Sequence, residues 1–243
     1  MKKGDLKKQE ILTVAEELFC CKGYEQTSVQ EILDRLNTSK GSFYHHFESK
    51  EALLEGICRE RADANFAAAS EKAIKATNPV SRLDYLLYGM IPFRDERLRF
   101  LLMLLPAFTL PEGRIVREYY CDALSVRFQE AVCNTIQSGA VSGDMFCTDP
   151  VNSSLLILSL VNRLWVQICD LIIDAESRHS EPDISECLRI TDCCRLCIER
   201  YLSLPCGSIS LIDIPTFRIL MDQIHIHWPN SYTNSKMIKE AFK

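Results

Sequence analysis

The chain has 243 residues, of which 47% are hydrophobic, and its formal net charge is −5. This size and composition are those of one large or two modest globular domains with a substantial core. The most apolar run that we identified, 100–108, is about half of the roughly 20 residues needed to span a bilayer, and the basic N-terminus lacks the apolar segment of a signal peptide. We therefore expect a cytoplasmic protein with no membrane contact.

The first predicted element is a helix over about residues 6–22, which ends at Gly23 because glycine is the preferred residue just past a helix end. Ser28 and Glu31 form the S-x-x-E capping box of a second helix. Ser49 caps a long fourth helix, which continues to about residue 76. The inward residues of the first helix, at helical spacing, are Ile11, Ala15, Leu18 and Phe19.

The pattern of residues 28–50 predicts two short helices joined by a tight turn. The second helix has an apolar face, which consists of Val29, Ile32, Leu33 and Leu36. Asn37 interrupts that pattern, Thr38 can cap a third helix, and Phe43 and Phe47 lie four residues apart on its inner side. The remaining positions of the third helix are small, hydroxylated, basic or aromatic: Ser39, Lys40, Gly41, Ser42, Tyr44, His45 and His46. This is the pattern of a helix-turn-helix whose second helix enters the major groove of DNA.

Beyond the fourth helix, the apolar periodicity predicts helices near 80–91, 94–109, 112–138, 150–175 and 183–203. Proline and glycine separate them, at Pro92, Pro111, Gly139 with Gly143, and Pro182. Residues 206–243 contain one possible helix, which Asp213 and Pro215 could open. No segment alternates in the manner of a strand, so we predict an all-α protein.

The sequence from residue 11 to 54, IL..AEELF...GYEQTSVQEILDRLNTSKGSFYHHFESKEALL, resembles the TetR family of bacterial transcriptional regulators, and the match covers about residues 8–58. The rest of the chain is similar to that family only in its helical architecture. The resemblance implies a helix-turn-helix DNA-binding domain over 1–58, linked by the long fourth helix to a helical effector-binding and dimerisation domain over 59–205, followed by an extension over 206–243. It also implies a homodimer that binds a double-stranded DNA operator and is released by a small-molecule effector.

Backbone N–H groups at a helix start can bind phosphate, and the first turn of a recognition helix reaches base edges. Lys40, Ser42 and His45 are our candidates for reading the sequence, while the resemblance puts Tyr44, His46 and Lys50 against phosphates. Alternatively, Tyr44 packs on the first helix and the two histidines are a solvated pair. The predicted DNA-binding residues are Thr27, Ser28, Thr38, Ser39, Lys40, Gly41, Ser42, Tyr44, His45, His46 and Lys50.

Two further sets of residues are predicted for the second domain, and ordinary core packing is the alternative for both. The predicted effector pocket consists of Phe93, Phe100, Met103, Phe108, Tyr119, Tyr120, Phe128 and Trp165. The predicted dimer interface consists of Leu158, Val161, Trp165, Ile168, Cys187, Ile190, Cys194 and Tyr201.

The chain contains 12 cysteines, most of them among apolar residues at helical spacing, which is typical of small core side chains. The segment 193–197, CCRLC, includes one C-x-x-C, which by itself is a weak signal for a metal site. We predict no metal, no cofactor and no enzymatic activity, because no cysteine has the histidine and acid of a catalytic site. A thiol- or metal-responsive regulator is the alternative function.

Overall fold

The computed structural model describes residues 3–92, 105, 114–178 and 180–227. Within these residues the regular structure is helical and contains no strand, so the all-α prediction is confirmed. The helices are α1 Lys3–Lys22, α2 Val29–Arg35, α3 Lys40–His46, α4 Lys50–Lys75, α5 Pro79–Met90, α6 Arg114–Ser142, α7 Pro150–Ser177, α8 Ile184–Tyr201 and α9 Ile214–His227. The predicted helix 94–109 lies almost wholly outside the described residues.

The N-terminal helices pack around the apolar residues that the periodicity predicted. The inward residues of α1 are all buried, and so are Ile32 and Leu33 of α2 and Phe43 of α3. Gly23 follows α1 with φ 86°, and Asn37 follows α2 with φ 47°. Both residues adopt the left-handed conformation that ends a helix, which glycine and asparagine tolerate best.

Helix α4 belongs to both halves of the molecule. Its first turns bury Leu53, Leu54 and Ile57 against the N-terminal helices. Further along, Ala62, Ala69 and other small residues face α5 and α6. A Cβ added at Gly89 of α5 would lie 2.4 Å from the Cβ of Ala69, so two small residues allow α4 and α5 to approach closely.

Buried aromatic side chains of the second domain have partners for their polar groups. The Asn65 Nδ2 group of α4 donates to the Tyr120 hydroxyl of α6 at 2.8 Å. The Tyr120 and Trp165 rings meet edge to face at 5.6 Å, and the Trp165 indole N–H donates to Asn162 at 3.0 Å. Because these polar groups are satisfied, the aromatic rings can be fully buried between α4, α6 and α7.

One predicted helix break is wrong. Gly139 lies within α6, which continues to Ser142, and it is Gly143, with φ 81°, that follows the helix. A Cβ at position 139 would lie 2.7 Å from the Cγ and Sδ atoms of Met145. Gly139 therefore makes room for the returning chain, a packing requirement that the local sequence does not express.

Helix α7 contains a longer apolar segment than we expected from the sequence. Residues Pro150–Ala175 have a mean hydropathy of 1.7 and are long and apolar enough to cross a membrane by length and composition alone. More than half of that segment is buried inside the protein, however, and the core helix of a soluble protein passes the same test. The segment is thus no evidence for a membrane contact.

The predicted dimer interface is wrong for most of its residues. Leu158, Val161, Trp165 and Ile168 of α7 are buried within their own chain, as are Cys187 and Cys194 of α8, while Ile190 is half-buried. Only Tyr201 of the predicted set is exposed. Helix α7 is apolar around much of its circumference, so periodicity alone could not tell its core side from its outer side. Its exposed apolar residues are Val151, Leu155, Leu156 and Leu160.

Candidate nucleic-acid interface

The two helices of the predicted helix-turn-helix are held at their starts by side-chain caps. Ser28 accepts a hydrogen bond from the Glu31 N–H at 3.2 Å, and the Ser28 N–H donates to Glu31 at 3.1 Å. The predicted capping box of α2 is therefore present. Lys22 pairs with the same carboxylate, and this ion pair lowers the pKa of Glu31. A carboxylate thus already occupies the positive end of α2.

The cap of α3 is displaced by one residue from its predicted position. Ser39, and not Thr38, is the N-cap, and its hydroxyl accepts from the Ser42 N–H at 3.3 Å. The Thr38 N–H instead donates to the Leu33 carbonyl at 3.0 Å, which closes the end of α2. Both residues are good caps, and the hydrogen bond from Thr38 to α2 leaves Ser39 as the residue that starts α3.

Helix α3 has one buried side and one open side. Phe43 is fully buried and Phe47, which follows the helix, is nearly so. On the other side Ser39, Lys40, Gly41, Tyr44 and His45 are exposed, while Ser42 and His46 are half-buried. Tyr44 is 53% exposed, and among the described aromatic rings its ring contacts that of Phe43, in a T-shaped arrangement. The residues expected to face DNA therefore lie on a continuous solvent-exposed side.

Gly41 has no structural reason to be a glycine. A Cβ added there would meet only the Ser39 hydroxyl oxygen, at 3.9 Å, which is an ordinary contact. Its φ lies outside the left-handed range, so an alanine would adopt the same conformation without strain. Since glycine inside a helix costs about 0.5–1 kcal/mol relative to alanine, a requirement outside the folded chain would explain this residue.

Thr27 does not belong to the open side. Its side chain is fully buried, and its hydroxyl lies 2.9 Å from the Gly23 carbonyl and 3.3 Å from the Leu18 carbonyl. Its N–H donates to the Tyr24 carbonyl at 3.3 Å. The prediction that Thr27 contacts DNA is therefore wrong, because its hydroxyl and N–H both bond to the end of α1 and the turn behind it.

Lys50 has a role inside the domain that the sequence did not suggest. Its ammonium group donates to the Tyr24 carbonyl at 3.0 Å and to the Thr27 carbonyl at 3.2 Å, and it lies 4.2 Å from the centre of the Tyr24 ring. Burial, reinforced by the carboxylates of Glu25 and Glu51, raises the pKa of Tyr24 to about 12. Lys50 thus ties the start of α4 to the turn between α1 and α2, and one of its three donors remains for a phosphate.

Several basic side chains of the N-terminal domain are neutralised by acidic ones. Lys7 pairs with Glu10 at 2.9 Å, and Arg35 pairs with Glu17 at 3.3 Å. Lys40, at the start of α3, is exposed and has no ion pair within the described part of the chain. Lys40 is thus the cation of α3 that is available to an incoming anion.

Apart from Tyr119, the predicted effector residues divide into two groups. Phe93, Phe100, Met103 and Phe108 lie outside the described residues. Tyr120, Phe128 and Trp165 are fully buried in the packing of the second domain. A separate cleft of about 540 Å³ lies between α6 and α7, and none of the predicted aromatic residues that the structure describes lines it. The residues that line this cleft are Arg114, Arg117, Glu118, Cys121, Asp122, Asn162, Arg163 and Val166.

Tyr119 was predicted to line the effector pocket, but its hydroxyl contacts α4. Its hydroxyl donates to Glu51 at 2.6 Å, and this hydrogen bond raises the pKa of Tyr119 to about 12. Glu51 lies in the first turn of α4, beside Lys50. The contact joins the second domain to the base of the N-terminal domain. The local sequence does not reveal this contact, because the two residues are 68 positions apart.

Comparisons with known proteins agree with this arrangement. Residues 11–57 match the family model described as "Bacterial regulatory proteins, tetR family". The "Uncharacterized HTH-type transcriptional regulator YerO" of Bacillus subtilis is 32% identical over 47% of this chain and 40% of its own length. The "HTH-type transcriptional repressor KstR2" of Mycolicibacterium smegmatis is 31% identical over 37% of this chain and 44% of its own. The chain thus spans less than half the length of these two relatives.

Most of the chain is similar in fold to solved structures. A protein from Rhodococcus sp., described as a TetR-family transcriptional regulator, superposes with a TM-score of 0.53 over 90% of this chain and 97% of its own, at 17% identity. At that identity the similarity shows the all-helical fold alone. Taken together, these findings show that residues 11–57, from α1 to the start of α4, match the TetR family of bacterial regulatory proteins, and that the chain has an all-helical fold similar to that of the Rhodococcus protein.

Proposed function

We propose that this protein is a sequence-specific DNA-binding transcriptional regulator of the cytoplasm, and that it acts as a homodimeric repressor. The observation that carries the proposal is the two-sided character of α3. Its phenylalanines are buried, while Lys40, Gly41, Tyr44 and His45 form an open surface at and after the helix start. A short helix of this kind is suited to the major groove, where its first turn meets base edges and its polar side chains meet phosphates.

DNA binding is tested by fluorescence anisotropy with duplexes from the region that flanks the protein's own gene. The wild type should bind one of them with a specific affinity well above that for unrelated DNA. Lys40→Ala should change the preference at one base pair by about 1–3 kcal/mol. Lys75→Ala is the control, since Lys75 is exposed at the far end of α4 and pairs with Glu71. Equal loss of binding on every duplex for Lys40→Ala would contradict a reading role.

The homodimer is supported by the exposed apolar side of α7 and α8. Val151, Leu155, Leu156 and Leu160 share this side with Tyr201, whose hydroxyl is 2.9 Å from the Ser153 hydroxyl of α7. We call these five residues the α7/α8 face. A two-fold axis through this face would pair each helix with its copy. We expect such a dimer to bind two operator half-sites about one DNA turn apart, roughly 34 Å, or at a closely related spacing.

Sedimentation velocity tests the dimer. Leu156→Glu places a charge on the α7/α8 face and should give a folded monomer. Ile74→Glu is the matched control, because Ile74 of α4 is even more exposed but lies outside that face. A Leu156→Glu variant that remains as dimeric as the wild type would show that this face is not the interface.

Release by a small-molecule effector is the remaining part of the proposal. The cleft between α6 and α7 has the volume of a small-molecule site. Its residues Arg117, Glu118 and Cys121 lie on the same turns of α6 as Tyr119, which bonds to Glu51 of α4. A ligand that shifts these turns would therefore move the contact at the base of the N-terminal domain, and it would lower operator affinity by its preference for the shifted state.

Tyr119→Phe tests this route, because it removes the hydrogen bond to Glu51 and retains the ring. We expect operator binding without effector to change little and the effector's influence on binding to decrease. Tyr85→Phe is the control, since Tyr85 is an exposed tyrosine on α5. An unchanged response to effector in Tyr119→Phe would remove this contact from the mechanism.

A thiol- or metal-responsive regulator is the second candidate. It is favoured by one observation, which is that Cys193 and Cys197 are both exposed on α8. This candidate shares the DNA-binding domain of the first and differs only in what the second domain senses.

A further inference from the structure

The exposed thiols of α8 do not correspond to the C-x-x-C motif in the sequence. Within that motif Cys194 is only 9% exposed and its Sγ lies 3.8 Å from the Leu160 carbonyl oxygen of α7, whereas Cys197 is exposed. The exposed pair is Cys193 and Cys197. Residues four apart lie on one side of a helix, and Tyr201 continues the same exposed stripe one turn further on.

The spacing of this pair suits a metal ion better than a disulfide. Residues four apart in a helix have Cβ atoms about 5–6 Å apart, while a disulfide requires about 3.5–4.5 Å. Two thiolates bound to one tetrahedral metal ion at about 2.3 Å lie about 3.8 Å apart, which two cysteine side chains can reach from that spacing. Thiolate ligands favour soft or borderline cations such as Zn²⁺ and Cd²⁺.

One chain supplies only half of such a site. Among the described residues, no group of three or more histidine, cysteine and acidic side chains is placed to hold a metal ion. A closed tetrahedral site requires four ligands. Helix α8 extends from Ile184 to Tyr201, so Cys193 lies near its middle and Cys197 one turn beyond. In a two-fold contact through the α7/α8 face, residues near the axis face their own copies.

We infer that Cys193 and Cys197 of two copies together bind one soft divalent metal ion, through four thiolates at the two-fold axis. This inference rests on the proposed homodimer. Binding forms four metal–sulfur bonds and releases the thiol protons to solvent, with no change of oxidation state. A metal ion held only by the dimer stabilises that dimer by mass action, and it fixes the angle at which the two α8 helices cross.

Several other cysteines of the second domain are unsuited to this role. Burial raises the pKa of the Cys187 thiol to about 11 and that of Cys121 to about 12, and it also raises the pKa of the fully buried Cys169 thiol. These thiols remain protonated within the core. Cys206 is exposed but lies beyond the end of α8, where its sulfur is 3.7 Å from Arg195 Nη1. Cys206 is therefore a suitable control.

The experiment uses the full-length protein, stripped of metal and kept reduced by a phosphine. Cd²⁺ is added under equilibrium dialysis, thiolate–cadmium absorption in the ultraviolet is recorded, and the oligomeric state is measured by sedimentation velocity. We expect one Cd²⁺ per two chains with four thiolates engaged. Cys193→Ser and Cys197→Ser should each weaken binding, and the double variant should lose it and remain a dimer. Cys206→Ser should bind as the wild type does.

The possible failures are distinguishable. A wild-type dimer that binds no Cd²⁺ overturns the metal site and leaves the proposed dimer in place. A wild-type monomer overturns the dimer, and the shared site fails with it. One Cd²⁺ per chain, or an equal loss in Cys206→Ser, overturns the assignment to Cys193 and Cys197. If the double serine variant does not fold, Cys193→Ala with Cys197→Ala replaces it, since small apolar side chains are tolerated on an exposed helix.

Discussion

Gly41→Ala should make the protein more stable and a weaker DNA binder. The added Cβ would have only the Ser39 hydroxyl oxygen within 4 Å, at 3.9 Å, and no unusual backbone angle opposes it. Alanine is favoured over glycine in a helix by up to about 1 kcal/mol, so the free energy of unfolding should rise by about that amount. Bound DNA, in contrast, would meet a methyl group at the point where the helix start approaches most closely.

The expected loss of affinity can be bounded. If the methyl group forces the first turn of α3 away from the groove, at least one base contact is lost, which costs about 1–3 kcal/mol. This corresponds to a dissociation constant roughly 5- to 150-fold higher. Urea unfolding gives the stability, and anisotropy with operator DNA gives the affinity. The control is Gly4→Ala in the first turn of α1, where a Cβ would meet nothing within 4 Å.

The distinctive result is a higher free energy of unfolding together with a lower affinity for operator DNA. A variant that is more stable and binds DNA as the wild type does would refute the close approach of DNA at position 41. A variant that is less stable would show instead that an internal contact excludes the side chain, contrary to the open surroundings in the structure. A similar loss of binding in Gly4→Ala would show that any added methyl near this end of the domain disturbs DNA.

The remaining predictions concern stability. Gly139→Ala should cost about 1–3 kcal/mol in urea unfolding, because the new Cβ would overlap the Met145 side chain; no loss would mean that Met145 moves freely. Lys50→Ala removes two hydrogen bonds to backbone carbonyls and should cost about 1.5–3 kcal/mol as well as weaken DNA binding. A fully stable Lys50→Ala variant would limit Lys50 to the DNA contact. Above about pH 9 the free energy of unfolding should fall as the pH rises. In the folded protein, burial raises the pKa of the Cys187 thiol to about 11 and that of the Cys121 thiol to about 12. In the unfolded chain these thiols lose their protons near the ordinary pKa of 9.0, so high pH favours unfolding. Equal unfolding midpoints at about pH 8 and about pH 10.5 would contradict that linkage.

The N-terminal domain could be predicted in detail because its signals are local. Capping serines, an asparagine in the left-handed conformation and two phenylalanines four residues apart act within one or two turns. Even there, the choice between Thr38 and Ser39 as the cap depended on a hydrogen bond to α2. The side chain of Thr27 is directed inward for a similar reason, since its partners are the carbonyl groups of Leu18 in α1 and of Gly23 just after it.

The second domain was less predictable because its decisive contacts are distant in sequence. The apolar residues of α7 surround most of the helix, and the packing of the neighbouring helices determines that Leu158 is buried while Leu156 is exposed. A glycine such as Gly139 is typical of a helix break. Only the close contact with Met145 shows that it is required for packing inside the helix. Periodicity therefore located the helices that the structure describes in this domain, and the side that each helix presents followed from the tertiary packing.

The contact between α6 and α4 suggests how movement would pass between the domains. Two adjacent residues of α6 reach α4 at points 14 positions apart, since Tyr120 bonds to Asn65 and Tyr119 bonds to Glu51. The first bond is buried, and breaking it would leave an unsatisfied polar group at a cost of about 1–3 kcal/mol. The second is open to solvent, where water can replace either partner. We therefore expect α6 to turn about the Tyr120 contact, so that Tyr119 leaves Glu51 first and the start of α4, with Lys50 and the turn that it holds, is free to move.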